Sequence, residues 1–392
     1  MRRLSANYIY TINQPPLKNG IIEVNQEGAV RKVIDTGGKL KESRNLEFFN
    51  GVITPGFINS HCHLELSYLK DKIAKKKGLP GFLEGIIKNR EEKNHVVLNS
   101  IKTYDSEMNK QGIVAVGDIS NTNQTIPIKK ESKIFYHTYI ESIGLKKDAL
   151  EIFKKSKSLQ KSFLSNGLDC SIVPHAPYSV SRELFQYIKE LAVLQNSIIT
   201  IHNQESDSEK EMFVSGTGEL INIFKKSGID IGSFKSTGKN SISSILDLLP
   251  RQNHIIFVHN TFSNKKDVEL VNQHFKNAYW CLCPSSNLNL ENQLPDLDIF
   301  KKLSRVTLGT DSLASNDSLS ILEEMKVINH YDPDISFGKL IEWATINGAR
   351  ALKIDDRFGS LEIDKTPGIN LITNFDFDNM QISAKSEVKV LI

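Results

Sequence analysis

Two histidines separated by a single residue stand early in the chain and suggest metal chemistry. In the run "ITPGFINSHCHLELS", His61 and His63 come at the end of an apolar stretch with the composition of a β-strand. Side chains at positions i and i+2 of a strand project from the same face. The two imidazoles are therefore expected to lie side by side while Cys62 points away. Two neutral imidazoles held together supply half of a typical metal site.

Two residues farther along the chain extend this pair to a full set of ligands. His202 in "SIITIHNQES" and Asp311 in "RVTLGTDSL" also follow apolar runs. Three imidazoles and one carboxylate suit Zn²⁺, and by ligand type they suit Fe²⁺ equally well. A bridged pair of metals would need an anion between them, often a modified lysine, and the run "CSIVPHAPYSV" around His175 contains no lysine. We therefore predict one divalent metal ion, with zinc as the first choice and iron as the alternative.

Eight short apolar runs must position these residues, and their order predicts the architecture. The runs span 52–63, 112–120, 134–142, 170–178, 197–206, 254–262, 278–286 and 305–313. Nearly continuous runs rich in Val and Ile are typical of strands buried on both faces, and their alternation with helix-compatible segments favours a parallel sheet. Eight such units predict an α/β fold, a (β/α)8 TIM-type barrel, whose active site lies at the carboxyl ends of the strands. Polar residues occupy those ends: His61, His63, Asp118, Glu141, His175, His202, Glu205, His259, Asn260, Asp311 and Ser312.

The two ends of the chain resemble each other more than they resemble the middle. Short strand-like runs separated by turns fill residues 3–50, and "GINLITNFD" and "SEVKVLI" occupy the last part of the chain. We expect residues 1–51 and 356–392 to form one small β-sandwich domain beside a barrel of residues 52–355. The segment 206–253 is longer than a simple crossover, which predicts an insertion over the active face.

The overall composition argues against several classes of partner. The 392 residues include 49 Lys+Arg and 46 Asp+Glu, a formal charge of +3, and no basic cluster marks a nucleic-acid surface. No apolar run is long enough to span a membrane. The four cysteines lie in or beside apolar runs and are too few for a disulfide framework, so we expect a reduced, cytoplasmic protein. A small-molecule substrate is the expected partner.

Four motifs together resemble a known family of enzymes. The motifs "HCH" (61–63), "HNQE" (202–205), "FVHN" (257–260) and "GTDSLASN" (309–316) are similar to those of the amidohydrolase superfamily. The likeness is to its branch of metal-dependent deaminases and chlorohydrolases. "PGFINSHCHLELS" and "HAPYSVS" further resemble aminofutalosine deaminase-like and S-adenosylhomocysteine/methylthioadenosine deaminase-like members. The resemblance covers residues 50 to 370 and leaves a homodimer open, because dimers are common in such folds.

The resemblance implies a role for each candidate residue. Asp311 would bind the metal and accept a proton from water, and His259 would orient the attacking oxygen. Glu205 would carry protons to the ring nitrogen and to the leaving amine. His175 would contact substrate, with an approach to the metal as the alternative. Glu65 lies on the same strand face as the H-x-H pair by parity, and either contacts substrate or caps the next helix.

These roles predict a hydrolase that acts on C–N bonds other than peptide bonds. The leading expectation is a deaminase that replaces the exocyclic amine of an adenosine-type substrate by a carbonyl. Hydrolysis of a cyclic amide or of a chlorinated ring is the alternative within enzymes. A metal-binding barrel without turnover is the alternative outside them.

Overall fold

Strands from both ends of the chain pair in one sheet beside the barrel. The computed structural model describes residues 1–145, 148–231 and 234–392. The strands of this sheet are β1 (Arg2–Ile9), β2 (Leu17–Lys18), β3 (Ile21–Val24), β4 (Val30–Ile34), β5 (Leu46–Pro55), β14 (Ile369–Thr373) and β15 (Glu387–Val390). Their order is β15-β14-β5-β1-β3-β4, with β2 on β1. The expected pairing of the two chain ends is confirmed. The strands are hydrogen-bonded as one sheet, in which the long β5 pairs with β1 on one side and β14 on the other.

The apolar run that holds the H-x-H pair is divided between this sheet and the barrel. β5 continues to Pro55, which pairs with Ile369 of β14, so it passes the boundary predicted at residue 51. The chain then turns at Gly56, where an added Cβ would collide with Val114. The first barrel strand begins at Phe57. The Pro-Gly pair therefore separates two strands where the sequence indicated one.

Eight parallel strands form the barrel. They are β6 (Phe57–Cys62), β7 (Ile113–Ser120), β8 (Phe135–Ser142), β9 (Cys170–Pro174), β10 (Ile199–Asn203), β11 (His254–His259), β12 (Asn277–Leu282) and β13 (Val306–Leu308). Neighbouring strands pair in parallel from β6 to β9 and from β10 to β13. Two seams remain, between β9 and β10 and between β13 and β6. The backbone N–H of His202 donates to the His175 carbonyl oxygen at 2.9 Å across the first seam, and Cys62 forms a parallel β-bridge with Asp311 across the second. The predicted closed barrel is confirmed.

Helices connect the strands and cover the outside of the barrel. They are α1 (Gly78–Asn89), α2 (Asn94–Lys110), α3 (Ile126–Glu131), α4 (Ala149–Leu164), α5 (Arg182–Gln195), α6 (Asp207–Ser215), α7 (Glu219–Lys226), α8 (Ser241–Ile245), α9 (Lys265–His274), α10 (Pro284–Glu291), α11 (Leu297–Phe300), α12 (Ile321–Tyr331), α13 (Phe337–Ala344) and α14 (Ile346–Ala351). Two 3₁₀ helices span Leu64–Leu69 and Leu246–Leu248. Ser181 caps α5, because its Oγ accepts the Leu184 N–H at 3.2 Å.

The long segment after β10 contributes an apolar wall next to the carboxyl ends of the strands. Its helices α6 and α7 pack with α1 around buried side chains that include Tyr178 and Phe224. The Tyr178 ring lies against His175 with the ring centroids 5.7 Å apart, so the wall reaches the barrel mouth. Among the helices described, none has the length and apolar character needed to cross a bilayer.

Candidate active site

Three imidazoles and one carboxylate converge at the carboxyl ends of the barrel strands. His63 Nε2 lies 3.1 Å from His61 Nε2 and 3.4 Å from His202 Nε2. Asp311 Oδ1 lies 3.4 Å from His63 Nε2 and 3.7 Å from His61 Nε2. One donor atom from each of His61, His202, His259 and Asp311 also fits within a 4.8 Å span. The structure thus brings all four predicted metal ligands together, with His259 beside them.

Hydrogen bonds at the rear of two rings decide which nitrogen faces this centre. His202 Nδ1 lies 2.9 Å from the His175 carbonyl oxygen, and His259 Nδ1 lies 2.9 Å from Asn287 Oδ1. Both partners are acceptors, so each Nδ1 carries the hydrogen and each Nε2 turns a lone pair toward the centre. This is the tautomer that a metal requires from an imidazole ligand.

The carboxylate of Asp311 is held in the same way. Its Oδ2 accepts hydrogen bonds from Ser286 Oγ at 2.7 Å and Ser315 Oγ at 2.5 Å, which leaves Oδ1 for the centre. Burial by itself would raise the pKa of Asp311, but the hydrogen bond with His61 and the other nearby imidazoles outweigh it and hold the pKa well below its usual range. Asp311 is therefore an anion at neutral pH.

Burial keeps four imidazoles of the mouth neutral, those of His63, His175, His202 and His259. Loss of solvent lowers the pKa of His63 to about 3 and the pKa of His175 and His259 to about 4. The pKa of His202 also falls well below its ordinary value, first through burial and then through neighbouring imidazoles. Neutral nitrogen lone pairs and an anionic oxygen directed at one point repel one another unless a cation lies between them. The donor set therefore fits a divalent metal ion.

The backbone at the ends of three strands adopts a conformation that non-glycine residues seldom use. Gln204, His259, Asn260 and Asp311 have φ values of 45°, 71°, 60° and 58°. Left-handed backbone at such residues costs free energy and is found where surrounding contacts hold it for a function. Here it turns the chain sharply after each strand, directly at the metal-binding cluster, which consists of His61, His63, His202 and Asp311.

Glu205 lies beside the cluster with its carboxyl group buried. Its Oε1 is 3.6 Å from His259 Nε2. Burial raises the pKa of Glu205 well above the usual range, and the charges of Asp311 and Glu209 raise it further. The turn that carries it is fastened by Glu209, whose carboxylate accepts the N–H groups of Gln204 at 3.2 Å and Glu205 at 3.0 Å. A carboxyl group held here in its protonated form can donate a proton.

The two residues predicted to contact substrate have different surroundings. His175 lies in the mouth, with Nδ1 2.6 Å from Ser179 Oγ and its ring centroid 4.7 Å from that of His202. Glu65 is buried in the first 3₁₀ helix. Its Oε1 accepts the Asn121 N–H at 2.8 Å, and its Oε2 accepts the N–H and the hydroxyl of Thr122 at 3.2 and 3.1 Å. Substrate contact by Glu65 stays a prediction, since both of its oxygens already have protein donors.

Several supporting residues were not found from the sequence. Ser286 and Asn287 follow β12, and Ser315 follows the eighth strand. Asp118, recognised only as a polar strand end, accepts the Leu64 N–H at 2.8 Å just after the H-x-H pair. Its other oxygen pairs with Lys129 at 2.6 Å, and both side chains are fully buried. The sequence pattern did not indicate this ion pair, because Lys129 lies in a helix with no other unusual feature.

Known proteins resemble this chain in sequence and in fold. An adenosine deaminase of Helicobacter pylori is 29% identical over 83% of this chain and 79% of its own length. An aminodeoxyfutalosine deaminase of Nitratiruptor is 28% identical over 82% and 79%. The crystal structure of Helicobacter pylori aminofutalosine deaminase with methylthio-coformycin has a TM-score of 0.84 at 24% identity and covers both chains completely. An Arthrobacter aurescens atrazine chlorohydrolase complexed with zinc has a TM-score of 0.75 at 14% identity, covering 100% and 95%.

The family assignment rests on a match over most of the chain. The model of the amidohydrolase family matches residues 52–388, a range that contains the whole barrel and every residue of the metal-binding cluster. The structural neighbours agree with this in fold. The chain belongs to the amidohydrolase family.

Proposed function

We propose that this protein is a metal-dependent deaminase that replaces the exocyclic amine of an adenosine-type ring by a carbonyl and releases ammonia. The observation that carries the proposal is the buried Glu205 carboxyl group, 3.6 Å from His259 and next to the metal-binding cluster. Deamination needs a proton donor at this place, because both the ring nitrogen and the leaving amine must be protonated. The names of the adenosine and aminodeoxyfutalosine deaminases among the relatives support the same reaction.

The metal would be held by His61, His63, His202 and Asp311, and zinc suits this set of ligands. When bound, a divalent metal supplies hydroxide at neutral pH by lowering the pKa of its water from about 15.7 to about 7. Zinc is also the metal in the atrazine chlorohydrolase structure of the same fold.

The protein residues then divide the proton transfers between them. The reaction consumes one water, and its two protons end on the ring nitrogen and on the leaving amine as the C–N bond breaks. Asp311 accepts the first proton through Oδ1, the oxygen that Ser286 and Ser315 leave free. Glu205 donates its proton to the ring nitrogen, then takes up the second proton of the water and passes it to the amine. The proton on Asp311 finally moves to Glu205, which returns both carboxyl groups to their starting forms. His259, held by Asn287, keeps the attacking oxygen aligned with the ring carbon.

Ammonia release from a panel of substrates tests the proposal. Protein of measured zinc content is mixed with adenosine, methylthioadenosine, aminodeoxyfutalosine, guanine and cytosine, and with a cyclic amide and a chlorinated triazine. We expect ammonia from at least one adenosine-type compound. Turnover of only the amide or the triazine would contradict the proposal, and a fully metallated protein that turns over nothing would favour a barrel without catalysis.

The variant Glu205→Gln tests the role of the carboxyl group. We expect kcat to fall by about 10²- to 10⁴-fold, because the amide cannot shuttle a proton. Zinc content should stay at the wild-type level, since Glu205 is not assigned as a ligand. Glu183→Gln, an exposed change on α5, is the matched control and should leave kcat unaltered. A Glu205→Gln protein with wild-type kcat would contradict the assignment.

We infer a cytoplasmic setting from the cysteines. Cys62, Cys170, Cys281 and Cys283 all carry free thiols, as expected in a reducing compartment. The homodimer stays a prediction that sedimentation of the purified protein can test.

A further inference from the structure

A carboxyl oxygen in the barrel mouth is buried without a hydrogen-bond partner among the described residues. Glu141 stands at the carboxyl end of β8 and is 8% exposed. Its Oε2 accepts Asn121 Nδ2 at 3.2 Å, while Oε1 finds no donor among the described residues. A buried acceptor left unpaired destabilises a folded protein. Such a group in a binding mouth is explained if a ligand supplies the missing donor.

The neighbours of this oxygen place it on the inner wall of the mouth. Oε1 lies 3.7 Å from His202 Nδ1 and 4.0 Å from His175 Nε2. The His202 N–H is already donated to the His175 carbonyl oxygen at 2.9 Å, so it does not satisfy Glu141. Tyr139, two residues earlier on the same face of β8, is fully buried in the barrel. Glu141 therefore points inward, above the barrel core and beside the metal-binding cluster.

We propose that Glu141 is a specificity-determining residue that accepts a hydrogen bond from a hydroxyl group on the sugar of the substrate. The inference rests on the proposed deaminase function. The ring under attack must lie against Glu205 and His259, which follow the fifth and sixth strands of the barrel. Glu141 ends the third strand, on the far side of His175. A substrate group that reaches Glu141 is a substituent of the ring rather than the ring itself. In an adenosine-type substrate this substituent is the ribose, whose hydroxyl groups are hydrogen-bond donors.

Glu65, a second buried acid near the mouth, has protein donors on both of its oxygens. Glu65 receives three hydrogen bonds from Asn121 and Thr122, which engage both of its oxygens. Asn121 also donates its side-chain amide to Glu141. The same loop thus holds both acids, and of their four oxygens only the Oε1 of Glu141 lacks a donor among the described residues.

Removing single hydroxyl groups from the substrate tests the contact. Wild type, Glu141→Gln and Glu141→Ala are compared on adenosine, 2′-deoxyadenosine and 3′-deoxyadenosine. In Glu141→Gln the Asn121 donor should hold the amide oxygen, which turns the –NH₂ group to the mouth and removes the acceptor. We expect the wild-type kcat/KM to favour adenosine over one deoxy compound by about 2- to 10-fold, the range for a single hydrogen bond to an uncharged group. Both variants should lose most of that preference.

A second readout and a matched control separate the alternatives. Kd values for inosine, 2′-deoxyinosine and 3′-deoxyinosine from titration calorimetry should show the same loss of preference without turnover. Glu183→Gln, the exposed change on α5, should keep the wild-type preference. If the Glu141 variants lose activity equally on all three substrates, together with zinc content, Glu141 merely supports His202 and the inference is overturned. An active wild type without any hydroxyl preference would overturn it too, whereas a wild type that releases no ammonia would overturn the proposed function itself.

Discussion

At the scale of single residues, the site depends on which ring nitrogen each histidine presents. The Nδ1 atoms of His202 and His259 donate to fixed acceptors, so their Nε2 atoms face the centre. The Nδ1 atoms of His61 and His63 have no hydrogen-bond partner among the described residues. Their orientation comes instead from strand geometry, because i and i+2 positions share a face. Two ring orientations are therefore secured by hydrogen bonds and two by the backbone.

Asn287 is the residue through which the orientation of His259 can be tested. In Asn287→Ala the Nδ1–H loses its acceptor, so the ring can rotate or change tautomer. We expect kcat to fall by about 10- to 100-fold, as for other groups that hold an active-site imidazole from behind. Zinc content should not change. Steady-state kinetics and metal analysis on the same preparation check both expectations.

The conservative variant Asn287→Asp gives the control for this prediction. It keeps an oxygen acceptor for His259 Nδ1, so it should recover part of the activity that alanine loses. A structural role alone would make both variants equally poor. If Asn287→Asp is as impaired as Asn287→Ala, orientation through this hydrogen bond is wrong.

At the scale of elements, the strands were predictable and their terminal turns were not. Parallel strands buried on both faces require nearly continuous apolar residues, and each of the eight runs contains a barrel strand. The left-handed turns at His259 and Asp311 have no such signal, since tertiary contacts impose them. The division of the first run at Gly56 was missed for a related reason. The apolar pattern continues across it, and only the change of pairing partner from β14 to the barrel reveals two strands.

The residues that support the ligands were also beyond prediction. Ser286 and Asn287 lie in α10 after β12, but they act on Asp311 and His259, which are 25 and 28 positions away. Polar residues after a strand are common, and nothing in their spacing says which partner they meet. The ligands themselves were recognisable because histidine and aspartate are common metal ligands, and these ones lie at strand ends.

A variant at Gly309 tests how closely β13 must approach β6 at the barrel seam. An added Cβ would lie 2.8 Å from Cys281 Sγ and 2.9 Å from His61 Cβ. Gly309→Ala should therefore displace His61 and lower zinc affinity by about 10- to 100-fold, the scale seen when ligand orientation is disturbed. Competition with a zinc-binding dye measures this affinity.

A second glycine provides the control for the seam. At Gly338 in α13 an added Cβ would meet only ordinary contacts, with Tyr10 at 3.8 Å and Ser336 at 3.9 Å. Gly338→Ala should bind zinc as wild type does. Equal zinc affinity in Gly309→Ala and wild type would show that the seam has room for a methyl group.

At the scale of the whole molecule, the terminal sheet and the long insertion cover opposite ends of the barrel. The Phe57 N–H and Asn370 Nδ2 both donate to the Gly112 carbonyl oxygen, at 2.8 and 2.9 Å. Gly112 directly precedes β7, so this contact joins the sheet to the amino ends of the strands. The wall formed with α1, α6 and α7 stands at the carboxyl ends, near His175. Substrate must therefore enter at the carboxyl ends, where the cluster lies.

The metal should stabilise the whole barrel, because its ligands come from both halves. His61 and His63 belong to the half from β6 to β9, whereas His202 and Asp311 belong to or follow strands of the half from β10 to β13. A ligand that binds only the folded state stabilises it by RT ln(1 + [L]/Kd), about 4 kcal/mol at a thousandfold excess of free metal over Kd. We expect a chelator to lower Tm by several degrees and to abolish turnover, and added zinc to restore both. Calorimetric scans with and without chelator measure the shift.

Two histidine variants separate a bound metal from a general effect of the chelator. His63→Ala removes a proposed ligand, so its Tm should be lower and should no longer respond to the chelator. His330→Ala changes an exposed histidine of α12 and should respond as wild type does. If wild-type protein of measured zinc content melts at the same temperature with and without chelator, the metal does not join the two halves of the barrel. The cluster would then serve catalysis alone, and its buried lone pairs would have to be accommodated in the apoprotein by the packing of the surrounding strands.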